Sequence, residues 1–286
     1  MPELPEVESL ARFLADQAGG RTIERVELAA ISALKTFAPP LDALHGKPIT
    51  GTTRRGKFLA IHVEPHWLVM HLARGGWVKW VDHMSPGRVK PGKGPLALRV
   101  RLTPGNQGFD VTEAGTEKRL AVYVVDNLED VPGIAALGPE VLDMSLDDFA
   151  SILDKAGNQQ IKGVLTEQSL IAGVGNAYSD EALHVAKLSP FRQSAKLTAD
   201  EAERLYKALH AVLGDAVERS KDVPAGGLKS EKKSGLRVHG RTGQPCPECG
   251  DTVREVSFAT KSLQYCPTCQ TGGKPLADRR LSRLLK

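Results

Sequence analysis

Cys246-Pro247-Glu248-Cys249 and Cys266-Pro267-Thr268-Cys269, separated by 16 residues, contain every cysteine of this 286-residue chain. Two Cys-x2-Cys pairs at that spacing match a site in which four thiolates surround one zinc ion. Four thiolates leave no open position, so the ion is expected to be structural rather than catalytic. In such ribbons each pair sits on a tight turn and the segment between them forms a hairpin, here with strands expected at 253–258 and 263–265. Disulfides are the competing use of four cysteines, and a reducing cytoplasm disfavours them.

The finger lies in a basic region. The chain carries a net charge of +4, but residues 219–286 hold 14 Lys/Arg against six Asp/Glu, which leaves the first 218 residues net acidic. Such asymmetry points to a polyanionic partner, because phosphate neutralisation dominates nucleic-acid affinity. Upstream of the finger, 221–237 reads as a flexible basic loop, and beyond it 274–286 reads as a basic tail with a short helix through Leu281, Leu284 and Leu285. Before the loop the apolar period is helical. Thr198 and Glu201 form a capping box, and Ala202, Leu205, Leu209, Leu213 and Val217 share one face of the helix that follows. Further helices are expected at 146–153 and 159–168. Between the 159–168 helix and the one capped at Thr198 lies Leu170-Ile-Ala-Gly173-Val-Gly175-Asn176-Ala-Tyr178, whose two glycines would let backbone amides approach an anion.

The first 130 residues differ. Leu10, Phe13 and Leu14 share a helical face, with Pro5 near the helix start. Short apolar runs follow at 23–28, 58–63, 67–72, 77–81, 96–102 and 120–125, separated by turn residues, which indicates a β-sandwich or barrel. The chain opens Met1-Pro2-Glu3-Leu4-Pro5-Glu6-Val7-Glu8. A small residue after Met1 normally allows that methionine to be trimmed, leaving Pro2 with a free secondary amine. An α-amino group has a reference pKa of about 7.7–8.0, so part of it is neutral near pH 7. Such an amine attacks an aldehyde to give a permanently charged iminium, and Glu3 stands beside it to move protons. No apolar run approaches the roughly 18 residues of a membrane span. No basic-then-apolar stretch opens the chain, so a cytoplasmic protein without a secretory signal is expected.

Taken together, the Pro-Glu start, the β-rich first half, the Gly-Val-Gly-Asn turn and the basic four-cysteine finger resemble the formamidopyrimidine-DNA glycosylase / endonuclease VIII family of base-excision repair enzymes. The resemblance spans about residues 1–270. It implies an α+β fold: an N-terminal helix and β-sandwich catalytic domain at 1–131, a helix–two-turn–helix domain at 132–237, a zinc finger at 238–270 and a basic tail at 271–286. It implies a bifunctional DNA glycosylase and abasic-site lyase. Pro2 matches the nucleophile, Glu3 the adjacent acid/base, and Lys57 a hairpin lysine contacting phosphate near the lesion. Glu6, a further carboxylate of the opening signature, falls with the DNA-contacting set. Lys162 matches a lysine facing the damaged site and Asn176 a phosphate-binding asparagine. Damaged double-stranded DNA is the expected partner of a monomer with one structural zinc and no nucleotide cofactor, associated with the nucleoid.

The sequence departs from the family in four places. Lys261 stands where the finger normally presents an arginine, keeping the charge but losing the bidentate fork. Arg74 replaces a methionine expected to fill the void left by the flipped base. Lys118, Arg119 and Leu120 stand near an Arg-Arg-Phe segment, with Leu120 expected as an apolar wedge and Arg74 and Lys118 as hydrogen-bonding partners. The base-recognition loop, at 221–237, lacks the aromatic-bearing pattern of 8-oxoguanine readers, so 8-oxoguanine is expected to be a poor substrate. Two other readings compete: a non-catalytic damaged-DNA-binding relative, and a zinc-ribbon RNA-binding module. The presence of Pro2, Glu3 and Lys57 together argues against both. His71 and His239 lie near motifs and are assigned no role.

Overall fold

The computed structural model describes residues 1–92, 94–258 and 262–277, and the chain divides into two compact units. The first comprises Met1–Leu137 together with Arg219–Lys229. It opens with α1 (Leu4–Ala18), followed by β1 (Thr22–Leu28), β2 (Gly51–Arg55), β3 (Phe58–Val63), β4 (His66–His71), β5 (Gly76–Val81), β6 (Leu96–Thr103), β7 (Gln107–Glu113), β8 (Ala121–Val125) and the short α2 (Pro132–Ala135). The strands form two four-stranded antiparallel sheets, ordered β1-β6-β7-β5 and β2-β3-β4-β8.

Strand alternation explains the layering. In β3, Leu59, Ile61 and Val63 enter one core with Val100 and Phe109 of the other sheet and Val7, Leu10 and Leu14 of α1. Phe58 and Ala60, on the opposite face, pack with Val69, Val125, Val131 and Ile134. A strand buried on both sides reads as a continuous apolar run, which is why β3 stands out in the sequence. Two strands did not stand out. β2 contributes Gly-Thr-Thr-Arg-Arg, with no apolar residue, and β7 buries a charge, Asp110, which pairs with Arg99 at 2.7 Å.

The second unit comprises Gly138–Glu218 and Ser230–Lys286. Its helices are α3 (Leu146–Ala156), α4 (Ile161–Thr166), α5 (Asn176–Val185) and α6 (Ala199–Arg219), which runs to the unit boundary. The capping box at the start of α6 forms as expected: Glu201 N–H donates to Thr198 Oγ1 at 3.2 Å, and Thr198 N–H to Glu201 Oε2 at 2.9 Å. The segment expected as a flexible loop carries a helix, α7 (Leu228–Gly235). The difference comes from burial: Ala225 and Leu228 join the core of the first unit, Ala225 O accepts from Trp77 Nε1 at 2.9 Å, and Lys229 Nζ lies 4.6 Å from the Trp77 ring centroid. The chain continues through β9 (Arg254–Ser257), β10 (Ser262–Tyr265) and α8 (Pro267–Thr271). The helix expected at 281–285 lies outside the described residues, as does Lys261. Among the described residues no helix is long and apolar enough to cross a membrane.

Candidate functional site

In the first unit the candidate catalytic residues gather at the start of α1. Pro2 is buried, and Glu3 and Glu6 are 2% and 3% exposed. Glu3 is the N-cap, and its N–H donates to Glu6 Oε2 at 2.8 Å. Glu6, expected among the DNA contacts, therefore turns back onto the chain and fixes the backbone that carries Pro2 and Glu3. Two contacts align α1 along β2: Thr52 Oγ1 donates to Ala11 O at 2.6 Å, and Arg54 Nε pairs with Glu8 Oε2 at 3.1 Å. Moving towards the helix start thus means moving towards the β2–β3 turn, Gly56-Lys57, where Gly56 adopts φ +53°. Lys57 there is 6% exposed. Phe58 pairs with His71 across β3 and β4, with ring centroids 4.8 Å apart. Burial, and then the Lys57 charge, hold His71 below the ordinary histidine range, so its ring is neutral.

Beyond β4 the Leu72–Gly76 turn presents Arg74 as an exposed residue. The turn is tight: Ala73 adopts φ +49°, Gly76 N–H donates to Leu72 O at 2.8 Å, and Ala114 N–H donates to Gly75 O at 3.0 Å. A Cβ on Gly75 would overlap Ala114 O, so the turn and the loop after β7 are held together through glycine. That loop ends with Lys118 and Arg119 exposed, and it is shaped by Glu113, whose Oε1 accepts from the N–H groups of Arg119 (2.7 Å) and Leu120 (3.0 Å). Lys118 Nζ donates to Glu113 O, and Arg119 pairs with the exposed Glu117 at 3.4 Å. Leu120 differs from expectation. It is 2% exposed and belongs to the sandwich core, so apolar burial has already claimed the side chain expected to act as a wedge.

In the second unit the Gly173–Asn176 turn is built by Gln168, whose Oε1 accepts from Gly173 N–H at 3.1 Å and whose Nε2 donates to Val174 O at 2.8 Å. Gly173 adopts φ +95°, and Gly175 caps α5, which begins at Asn176. The amides of that first turn and the helix dipole favour an anion there. Asn176 Nδ2 donates to Ser262 O at 2.8 Å, tying the turn to the finger hairpin. Lys162 faces inward. Its ammonium donates to Asp180 Oδ1 (2.6 Å), Ser179 Oγ (2.8 Å) and Asn176 O (3.1 Å), so its three protons are taken up within the protein. These bonds hold it against the first turn of α5.

The α5 carboxylates organise the finger, and nothing in the sequence marked them, because Asp180 and Glu181 read as the polar face of a helix. Both are buried. Glu181 accepts from the N–H groups of Arg237 (2.7 Å), Val238 (2.9 Å) and His239 (2.8 Å); burial pushes its carboxyl upward and these three bonds oppose the rise. Asp180 Oδ2 meets His239 Nδ1 at 2.7 Å and accepts from Gln264 N–H at 3.2 Å.

The four cysteine sulfurs lie within 4.8 Å of one another. The pairs Cys249–Cys266 and Cys246–Cys269 are separated by 3.4 and 3.9 Å, too far for disulfides. A tetrahedral zinc with bonds of about 2.3 Å sets its sulfurs about 3.8 Å apart, so the cluster fits the ion. The first knuckle closes through Gly250 N–H to Cys246 O (2.9 Å), with Gly250 at φ +78°. The second closes through α8, where Gln270 N–H donates to Cys266 O (3.0 Å). Asp251 links them, accepting from Thr268 N–H (3.2 Å) and Oγ1 (2.9 Å).

Three family models match the chain: the formamidopyrimidine-DNA glycosylase N-terminal domain over residues 1–112, the H2TH domain of the same enzymes over 136–225, and a zinc finger found in FPG and IleRS over 243–272. A formamidopyrimidine-DNA glycosylase from Heliobacterium modesticaldum is 37% identical, covering 94% of this chain and 100% of its own length. An uncharacterised formamidopyrimidine-DNA glycosylase-like protein from Mycobacterium tuberculosis is 64% identical over 54% of this chain and 98% of its own. Among solved structures, the MutM (Fpg) protein from Thermus thermophilus matches with a TM-score of 0.79 and 32% identity, covering 96% of this chain and all of that one. Lactococcus lactis Fpg, solved with DNA containing an abasic site, matches with a TM-score of 0.82 and 26% identity over 94% of this chain and 99% of that one.

Proposed function

This chain belongs to the formamidopyrimidine-DNA glycosylase family and is a DNA glycosylase with abasic-site lyase activity; from that premise we propose that Pro2, Glu3 and Lys57 carry the reaction. The observation supporting this is that α1, aligned on β2 through Thr52–Ala11 and Arg54–Glu8, carries the buried Pro2-Glu3 start towards the turn that bears the buried Lys57.

The target base is unreachable inside a duplex, so the nucleotide is flipped out at a cost of a few kcal/mol. With Met1 removed, the Pro2 nitrogen lone pair attacks C1′ and gives up its N–H proton, and the C1′–base bond breaks with its electrons leaving on the base; the C1′–O4′ bond then breaks, O4′ takes a proton to become the ring-opened alcohol, and the nitrogen lone pair closes the C1′–N double bond. Glu3 supplies and removes protons beside the amine. The resulting iminium draws electrons from C2′, whose proton is lost as the bond to the 3′ phosphate breaks. Lys57 neutralises phosphate near the lesion, and Asn176 with the first turn of α5 holds a second phosphate. Arg74, Lys118 and Arg119 meet the unpaired partner base and neighbouring phosphates as hydrogen-bond donors. Leu120, as a core residue, takes no part. Zinc, held by Cys246, Cys249, Cys266 and Cys269, supplies no chemistry; it makes a small hairpin rigid enough to bear on DNA. The protein acts as a monomer on double-stranded DNA, without a nucleotide cofactor, at the nucleoid.

Borohydride reduction on a duplex containing an abasic site tests the proposal. It is expected to trap a covalent adduct whose mass maps to the peptide beginning at Pro2. An adduct on any lysine, or native protein that retains Met1, would remove the mechanism.

Substrate choice is read from the 221–237 segment, which is basic, lacks the aromatic-bearing pattern of 8-oxoguanine readers and has Ala225 and Leu228 taken into the core of the first unit. In single-turnover reactions on a lesion panel, 8-oxoguanine is expected to be excised more slowly than at least one other damaged base. Finding it the fastest would refute this reading.

A further inference from the structure

His184 lies in α5, 1% exposed, with Nε2 3.2 Å from Cys246 Sγ. Its other nitrogen, Nδ1, is buried and has no hydrogen-bond partner among the described residues. These two facts fix where the proton belongs once the sulfur is a metal-bound thiolate. A thiolate only accepts, so the nitrogen facing it must donate. Placing the proton on Nδ1 would bury an unpaired N–H and set a lone pair against an anionic sulfur, which costs twice.

Resting on the reading of the four cysteines as a zinc site, we infer that His184 is a positioning residue of that site: as the Nε2–H tautomer it donates a hydrogen bond to the Cys246 thiolate and anchors the metal to α5. The bond withdraws charge from the sulfur, making it a weaker target for electrophiles, and it ties the sulfur to α5, so Cys246 swings away from zinc less readily. The rest of α5 gives it a consequence. Glu181 holds the backbone of Arg237–His239, Asp180 holds Gln264 of β10, and Asn176 begins the same helix. One helix thus carries the approach to the finger, one strand of its hairpin, its metal and the proposed phosphate-binding turn. Zinc occupancy and the placement of that turn become linked through a side chain that is not a ligand.

The test uses the full-length protein loaded with one equivalent of cadmium-113 in place of zinc. The nitrogen-15 shifts of His184 are expected to report the Nε2–H tautomer, with a scalar coupling from that proton through Cys246 Sγ to the metal. In parallel, transfer of zinc to a chromogenic chelator is compared for wild type and His184→Phe, which keeps an aromatic ring but loses the donor. Release is expected to be about 10-fold faster in the variant, in line with the 10- to 100-fold effects of such outer partners. A Nδ1–H tautomer, or a release rate in His184→Phe within twofold of wild type, overturns the inference while leaving the zinc site standing. Failure to take up one equivalent of either metal removes the zinc reading itself. The tautomer measurement needs no substitution, so it decides the matter even if the phenylalanine variant folds poorly.

Discussion

Glu3→Gln is expected to slow base excision by about 100- to 10,000-fold in single-turnover reactions, while binding of an uncleavable lesion duplex changes little. The amide keeps the size and hydrogen-bonding reach of the carboxylate and loses only its exchangeable charge. Glu3 is 2% exposed at the N-cap of α1, and the bond from its N–H to Glu6 does not depend on its side-chain charge. A deficit in the rate without one in binding identifies a group that acts in the transition state. The effect should depend on substrate. On a preformed abasic site the base has already departed, so attack on the sugar aldehyde needs less help, and borohydride trapping by Glu3→Gln should persist in part. Pro2→Gly should behave in the opposite way. A primary amine gives an imine that is charged only when protonated, so trapping should fall on both substrates. If Glu3→Gln weakened binding as much as it slowed excision, Glu3 would be a structural cap and not a proton carrier.

Removal of the metal is the second large effect. At the metal end of the finger Val238, Cys246, Val253 and Cys266 pack with Cys269, three of these five residues being ligands, and the hairpin adds a small cluster of Val256, Leu263 and Tyr265 with Phe191 and Leu276 against it. Such a core does not hold a hairpin unaided; structural zinc contributes about 10–16 kcal/mol of apparent binding energy that is spent on folding. Chelation, or Cys266→Ala, is therefore expected to abolish amide-exchange protection in 238–273 and leave that of β3 and β4 unchanged. DNA affinity should fall, and the plot of log affinity against log salt should flatten by about 0.9 for each phosphate the finger no longer neutralises. The pH dependence follows from the thiols. Without metal, burial pushes Cys266 up to about 11 and raises Cys269 as well, so both hold protons at neutral pH. Zinc must displace those protons, and its affinity is expected to rise with pH and to fall as pH drops below neutrality. Affinity independent of pH between 6 and 8 would mean that the thiolates are preformed.

Much of the architecture was legible because its signals are local. The strands of β3, β4 and β6 announce themselves as apolar runs, and the α6 capping box forms with the partners its spacing implies. Strands without that signal were invisible: β2 has no apolar residue, and β7 interrupts its pattern with Asp110, whose burial depends on Arg99 of a neighbouring strand. The helix at 228–235 hid for a similar reason. Its composition is that of a solvated loop, and it is held by contacts with residues distant in sequence, the burial of Leu228 and the stacking of Lys229 on Trp77 among them.

The chemistry divides along the same line. Ligand type and spacing within a few residues, as in the cysteine pairs and the Pro2-Glu3 start, are properties of the covalent chain, and they are enough to point to the zinc site and to the proposed amine nucleophile. Burial and partnership between distant residues are not. Leu120 could not be assigned to the strand core rather than to a wedge, nor Lys162 recognised as the partner of Asp180, nor His184 as a neighbour of Cys246 across 62 positions, until the chain had closed upon itself. Whether an apolar side chain is free to leave, or a cation free to meet phosphate, depends on what else competes for it, and that competition exists only in the folded protein.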